Sequence, residues 1–308
     1  MRNNSPLVNA WIFLNEDEPA GTNYNSSNSS YQQLIQNNVY QSVDILNICF
    51  LTTLPTSTKT VPQGDGSSYT LSTGNPPPSH PGGLTNQDYM QYIVRDARKN
   101  NPNIKIAVTL VYGPASSDPN SNGRAIANIF SNSKVSPQQN ANNFAANMMA
   151  YLKKYDLDGF DIDWESELSD VTTQQQFAMV VNAIGAQFRQ QTDKPYYLTL
   201  SPAVATHLDA AAVNNNMDFV NLQLYSGFTF PSDFVKAGVE AKLFAYGAKF
   251  ESNFQTASEA FQDNQKNYHY KIFTCWRLNS NNYVFEQQQQ QSLYKLVFPT
   301  AARKSHAG

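Results

Sequence analysis

The sequence predicts an α/β fold, specifically a (β/α)8 barrel. Three observations predict it across 308 residues: eight short apolar runs with strand character, helical patterns between them, and no composition shift marking a second domain. Periodicity alone leaves a doubly wound sheet open, and the count of eight favours the barrel.

Residues 8–14 read as the first strand, followed by a polar Gly/Asn/Ser stretch and a short helix over about 31–37. Residues 43–51 form the second strand. From 52 to 84 the chain is Pro, Gly, Ser and Thr with almost no periodicity, a long irregular loop that is either functional or an insertion. A helix over about 86–99 repeats Tyr89, Tyr92, Ile93 and Ala97 at helical spacing. Residues 104–110 make the third strand, and Gly113-Pro114 opens another polar loop. Ser136-Pro137 supplies the cap and first turn of a helix reaching about residue 154, with Phe144, Met148 and Leu152 as its apolar stripe. The fourth strand is 158–165. A helix over about 172–190 sets Phe177, Val180, Val181, Ile184 and Phe188 on one face. Strands five to eight follow at 197–201, 219–225, 241–246 and 270–276, with a helix from about 256 to 264 before the last. The Gln run at 287–291 falls in a closing helix whose expected apolar contacts are Phe285, Leu293 and Leu296.

The fourth strand carries the chemistry. It reads Asp158-Gly159-Phe160-Asp161-Ile162-Asp163-Trp164-Glu165. Successive side chains on a strand point to opposite faces, so Asp161, Asp163 and Glu165 share one face and Phe160, Ile162 and Trp164 the other. At a rise of about 3.3 Å per residue the acids stand roughly 6 to 7 Å apart. Such a row is costly to bury unless protons are shared or hydrogen bonds formed. A solvated edge strand or a cation site are the bland alternatives. The apolar opposite face argues against the first, and calcium oxygens more usually come from a loop.

Composition narrows the partners. Charged residues are 15% of the chain, aromatic residues 12%, the net charge is −3, and no Lys/Arg cluster occurs. Nucleic acid and anionic membrane are therefore poor partners, and an uncharged polysaccharide suits the surface better. No run of about 18 apolar residues predicts a membrane span. Cys49 and Cys275 sit in apolar runs and read as buried free thiols. No Cys/His spacing suggests zinc, and no metal or cofactor is expected. The N-terminus, Met1 to Pro6, lacks the apolar stretch of a signal peptide. That leaves a cytosolic protein, another export route or a removed leader; secretion is the expectation, as a monomer.

The acidic run matches the D-x-x-D-x-D-x-E signature, and the chain resembles the chitinases of glycoside hydrolase family 18, most closely the single-domain, hevamine-like type. The resemblance settles the barrel. It implies one catalytic domain over 1–308, with the 52–84 loop over a sugar cleft. Only about 25 residues separate Tyr246 from Ile272, so the α+β insertion found in some members is absent and the cleft is shallow and open.

The resemblance also implies a mechanism. All the acids come from one strand, and the substrate's own 2-acetamido oxygen is the nucleophile. Glu165 then protonates the leaving oxygen and later activates water, and a negative neighbour below raises its pKa. Asp163 orients the acetamido N–H and stabilises the oxazolinium, and Asp161 holds Asp163, with one proton shared between the two aspartates. Asp158, at the strand start and of opposite parity, is structural. Gln223 and Tyr225 share a face at the end of the sixth strand, Tyr225 bonding the acetamido carbonyl. Trp276 ends the eighth strand as the floor beneath the reacting sugar. Tyr246, Trp11 and Tyr112 are weaker candidates, read as packing.

Asn47-Ile48-Cys49-Phe50 resembles the family's second strand, and non-proline cis peptides are implied at Cys49-Phe50 and Trp276-Arg277. One departure stands out. Where the family's third strand ends Ser-x-Gly-Gly, this chain has Thr109-Leu110-Val111-Tyr112-Gly113, whose bulk narrows or reshapes the donor side. The expected activity is endo-acting, retaining hydrolysis of β-1,4-N-acetylglucosamine polymers such as chitin. An endo-β-N-acetylglucosaminidase acting on N-glycan cores and a chitin-binding lectin are the alternatives. Such lectins usually lose the final Glu, which here is present as Glu165.

Overall fold

The computed structural model describes residues 6–14, 16, 20–56, 68–74, 79–110, 124–165, 172–262 and 268–299. Eight parallel strands close a TIM barrel: β1 (Leu7–Phe13), β2 (Ile45–Pro55), β4 (Lys105–Leu110), β5 (Gly159–Trp164), β6 (Tyr197–Pro202), β7 (Phe219–Leu222), β8 (Phe244–Ala248) and β9 (Ile272–Cys275). Their order runs β1-β9-β8-β7-β6-β5-β4-β2, and β1 pairs with β2 to complete the ring. The ninth strand, β3 (Tyr69–Ser72), lies antiparallel on the extension of β2, Thr53 facing Leu71.

Helices cover the outside: α1 (Ser30–Gln36), α2 (Asn86–Asn100), α3 (Ala125–Ile129), α4 (Pro137–Lys154), α5 (Gln174–Arg189), α6 (Ala210–Asn216), α7 (Pro231–Lys236), α8 (Phe250–Gln262) and α9 (Tyr283–Val297). Local sequence starts several of them. Thr85 with Asp88, and Thr173 with Gln176, form capping boxes at α2 and α5, while Ser136 caps α4 just before Pro137. The core lies between barrel and helices. On the outward face of β5, Phe160 meets Phe144 of α4 at 6.4 Å and Trp164 meets Phe177 of α5 at 4.7 Å between ring centroids. The predicted parity of this strand is therefore the observed one. Between β8 and β9 the described chain holds one helix, α8, and no insertion domain.

Several predicted elements are redrawn. The 52–84 stretch is not wholly irregular, since β2 continues to Pro55 and pairs with β3. Thr, Tyr and Leu at 69–71 supply enough β-preference for a short strand once a partner edge is available. Residues 241–243, expected within a strand, form a 3-10 turn, and β8 begins at Phe244. The sixth barrel strand stops at Leu222, and Leu224–Ser226 is a 3-10 turn closed by Gly227 at φ 84°. Gln223 and Tyr225 are thus not alternate residues of a strand. Helices α3, α6 and α7 were not anticipated. The Gln run does lie in the closing helix, α9, but Phe285 is 37% exposed and is not one of its apolar contacts. Leu293 is buried and Leu296 packs on the core, as expected.

Asp158 sits at the far end of β5 from Glu165. Its carboxylate takes Arg98 at 2.9 Å, Lys194 at 2.8 Å and the Ile106 N–H at 2.9 Å. A buried acid with two cations and a backbone donor joins β4, α2 and the β5–β6 connection at the barrel floor. Cys49 and Cys275 are free and buried.

Candidate active site

The inward face of β5 sets three acids at increasing height. Asp161 is deepest and fully buried. The Thr199 hydroxyl donates to its Oδ1 at 2.6 Å, and Ser201 Oγ lies 2.9 Å from both of its oxygens. Thr109 adds a third hydroxyl bond. Thr109 and Thr199 are the direct register partners of Asp161 on β4 and β6, so strand pairing alone brings them there. Thr109 Oγ1 in turn accepts the Trp11 indole N–H at 3.0 Å. Burial pushes the Asp161 carboxyl up to about 6, while the three hydroxyl bonds hold it down.

Asp163 stands one step higher and is 5% exposed. It accepts the Gln223 amide at Oδ1, 2.9 Å away. Burial first, then the charges of Glu165 and Asp161, push its carboxyl well above the usual range. The two aspartates keep separate partners, hydroxyls on Asp161 and the Gln223 amide on Asp163. Glu165 follows β5 at the mouth, half-buried, 3.3 Å from the same Gln223 nitrogen. That nitrogen also lies 3.0 Å from the Ser201 carbonyl, which fixes the amide across the end of β6.

A cavity of about 240 Å³ opens above the row. Asp163, Glu165, Gln223 and Tyr225 line one part of it, and Trp11, Phe50 and Trp276 the rest, with Thr109 and Ser201 below. Burial and the neighbouring Asp163 and Glu165 push the Tyr225 phenol well up, so it stays a neutral hydroxyl able to donate. The turn at Leu224–Ser226 brings Gln223 and Tyr225 to the same cavity by a route that strand parity did not foresee.

Trp276 is half-buried and sits in an aromatic cluster with one part lining the cavity. Phe50 lies at 5.7 Å and 33°, while Trp11 at 6.2 Å and Phe13 at 6.4 Å meet it edge-on. The Arg277 guanidinium lies 5.4 Å from its ring centre and is gripped by both Glu16 oxygens at 2.5 and 2.8 Å. The peptides Cys49-Phe50 and Trp276-Arg277 are both cis, as the resemblance implied.

Trp11 was read as packing, yet it lines the cavity and orients Thr109. Phe50 and Ser201 also line the cavity without a local sequence signal, and only register points to Ser201, which sits opposite Asp163. Tyr246 is packing: it is buried and stacks on Phe273 at 5.8 Å. Val111, Tyr112 and Gly113, where the third strand departs from the family pattern, lie outside the described residues.

Solved structures share this barrel. A class V chitinase from Nicotiana tobaccum superposes with a TM-score of 0.60 at 11% identity, covering 93% of this chain and 98% of its own. A GH18 chitinase from Cycas revoluta, solved with (GlcNAc)4, gives 0.60 at 12% identity, with 94% and 98% covered. A chitinase-like agglutinin from Robinia pseudoacacia gives 0.59 at 11% identity, with 92% and 98% covered. At such identities the likeness establishes the fold. The family itself is established by sequence, because the model for glycosyl hydrolases family 18 matches residues 22–301, nearly the whole chain, including the acid row on β5. The chain belongs to glycoside hydrolase family 18.

Proposed function

We propose that this protein is a hevamine-like, single-domain chitinase that cleaves β-1,4-N-acetylglucosamine linkages within chitin, with retention. The observation that carries the reading is the convergence of Glu165, Asp163 and Tyr225 on one cavity walled by Trp276, with both lining carboxylates drawn from the β5 side. A two-carboxylate mechanism wants its acids on opposite sides of the scissile bond. Here the substrate supplies the second group.

The family resemblance and this geometry together support the following chemistry. Glu165, at the mouth, gives its proton to the glycosidic oxygen as the C1–O bond breaks. The acetamido carbonyl oxygen attacks C1 from the opposite face and forms an oxazolinium. Asp163 accepts the acetamido N–H, Tyr225 donates to the acetamido oxygen, and the deep negative charge of Asp161 offsets the cation. Glu165, now ionised, takes a proton from the water that reopens the ring at C1, and two inversions give retention. Trp276 offers an apolar face to sugar C–H groups.

The agglutinin shows that this barrel also occurs in a protein named for agglutination, so fold does not decide between turnover and binding. Glu165 with its neighbours intact supports turnover. Product analysis with N-acetylglucosamine oligomers beside a high-mannose glycopeptide tests the reading. Shortened oligomers and an intact glycopeptide are expected. Cleavage of the glycopeptide alone would mean an N-glycan endoglycosidase, and binding without cleavage of either would mean a lectin.

A further inference from the structure

The barrel interior beneath the acids is polar, and one line of hydrogen bonds crosses it. Thr274 on β9 donates its hydroxyl to Asn221 Oδ1 on β7 at 2.7 Å. The Asn221 amide Nδ2 donates to Ser201 Oγ on β6 at 3.2 Å. Ser201 Oγ lies 2.9 Å from both oxygens of Asp161 on β5. All four side chains are buried, Asn221 and Asp161 completely.

The direction of this line matters. A serine hydroxyl has one proton and two lone pairs. With the Asn221 N–H occupying a lone pair, the proton of Ser201 is left to point at Asp161. The amide is oriented because its oxygen receives the Thr274 proton. Turned over, it would set its own oxygen against Ser201 and draw the serine proton away from the acid.

Few other groups can hold charge on Asp161. Among the described residues, Asp163 and Glu165 on its own side, the Cys49 thiol on β2 and the Tyr225 phenol beyond β7 are the titratable groups that couple to this row. All of them are neutral or negative. Among the described residues, three hydroxyls and no cation stabilise its charge.

We propose that Asn221 is a positioning residue: acting through Ser201, it aims a hydroxyl proton at Asp161 and so keeps the negative charge at the deep end of the acid row. Protonation of the row is thereby favoured at its upper end, beside the cavity. The benefit to catalysis rests on the chitinase reading, but the hydrogen-bond relay does not.

The test is a 13C-carboxyl NMR titration of the full chain labelled at aspartate, with the Asp161 signal identified by its loss in Asp161→Asn. In Asn221→Leu the Asp161 midpoint is expected to rise by about half a pH unit or more, because the Ser201 hydroxyl loses the N–H that holds its proton toward the ionised form. Thr274→Val, which removes only the group orienting the amide, should shift it the same way by less. Ser201→Ala should shift it fully, and adding Asn221→Leu to Ser201→Ala should shift it no further. An unmoved midpoint in Asn221→Leu, or additive shifts in the double variant, would overturn the relay. If Asn221→Leu does not fold, Thr274→Val decides. The acidic limb of kcat/KM should move up with the midpoint. A wild type without turnover but with the NMR shifts intact would sink the chitinase reading and leave the relay standing.

Discussion

The amide nitrogen of Gln223 lies 2.9 Å from Asp163 Oδ1 and reaches Glu165 at 3.3 Å, so one side chain ties the two upper acids together. It donates to one Asp163 oxygen and leaves the other free to face the substrate. Gln223→Leu should uncouple the pair. A hydrogen bond to an ionisable partner is worth about 1.5–3 kcal/mol, so kcat on N-acetylglucosamine oligomers should fall roughly 10- to 100-fold. Circular dichroism should remain that of the wild type. Unchanged kcat would remove Gln223 from the machinery.

Glu165→Gln keeps shape and loses the transferable proton. We expect kcat to fall by at least about two orders of magnitude while oligomer affinity, measured by calorimetry, stays within a few-fold. A variant retaining a tenth of wild-type turnover would refute the assignment of Glu165 as the acid.

Turnover should require the acetamido group. Fully deacetylated chitosan and cellulose oligomers lack the internal nucleophile and should remain intact under conditions that degrade chitin oligomers. NMR of fresh products, before mutarotation, should show the β-anomer. Early α-anomer would indicate direct attack by water.

Much of this site is legible in the sequence because a strand has a period of two. The alternation from Phe160 to Glu165 separates cavity from core without any tertiary information, and the structure keeps that division. What is not legible depends on register or on turns. Ser201 matters because β6 pairs with β5 so that it faces Asp163, a relation that no local pattern encodes. Leu224 and Tyr225 have strand preference, yet the chain leaves the strand at Gln223, with φ −75° and ψ 63°, and turns toward Gly227. Trp11 looks like any core Trp until its N–H is seen on Thr109. In α9 the five glutamines hide the apolar period: of Phe285, Leu293 and Leu296, expected inward, the last two pack on the core, while Glu286, Gln287 and Gln290 are buried and Phe285 is exposed.

The buried acids should leave a mark on stability. Burial pushes Asp161 up to about 6, and Asp44, which accepts the Val8 N–H, also to about 6. An unfolded Asp ionises near pH 3.9. Between roughly pH 4 and 6 the folded state thus binds more protons than the unfolded state, and stability falls as pH rises through that window. Asp161→Asn cannot ionise. Its thermal midpoint should drop less than that of the wild type between pH 4 and 7, and at pH 7 should be higher by a few degrees. Scanning calorimetry at both pH values checks this. A drop equal to or steeper than that of the wild type would show that Asp161 carries no such penalty.

The glutamine run offers a stability test away from the acids. Gln287 and Gln290 are buried on the inner face of α9, while Gln288 is exposed. Gln290 donates its amide to the Ser42 carbonyl at 2.8 Å, and Gln287 donates to the carbonyls of Ser30 and Leu278 at 3.1 and 3.2 Å. These carbonyls belong to α1, to the turn before β2 and to the segment after β9. The helix thus closes the barrel by satisfying backbone acceptors that burial would otherwise leave bare. Removing such a donor strands its partner and opens a small cavity. Gln290→Ala should therefore cost about 1–3 kcal/mol in urea unfolding, and Gln287→Ala a similar amount. Gln288→Ala removes an exposed amide from a helix and replaces it with the best helix former, so it should be neutral within about 0.5 kcal/mol or slightly stabilising. Equal effects at all three positions would mean that the run acts only through helix propensity and that its inward amides contribute nothing to closure.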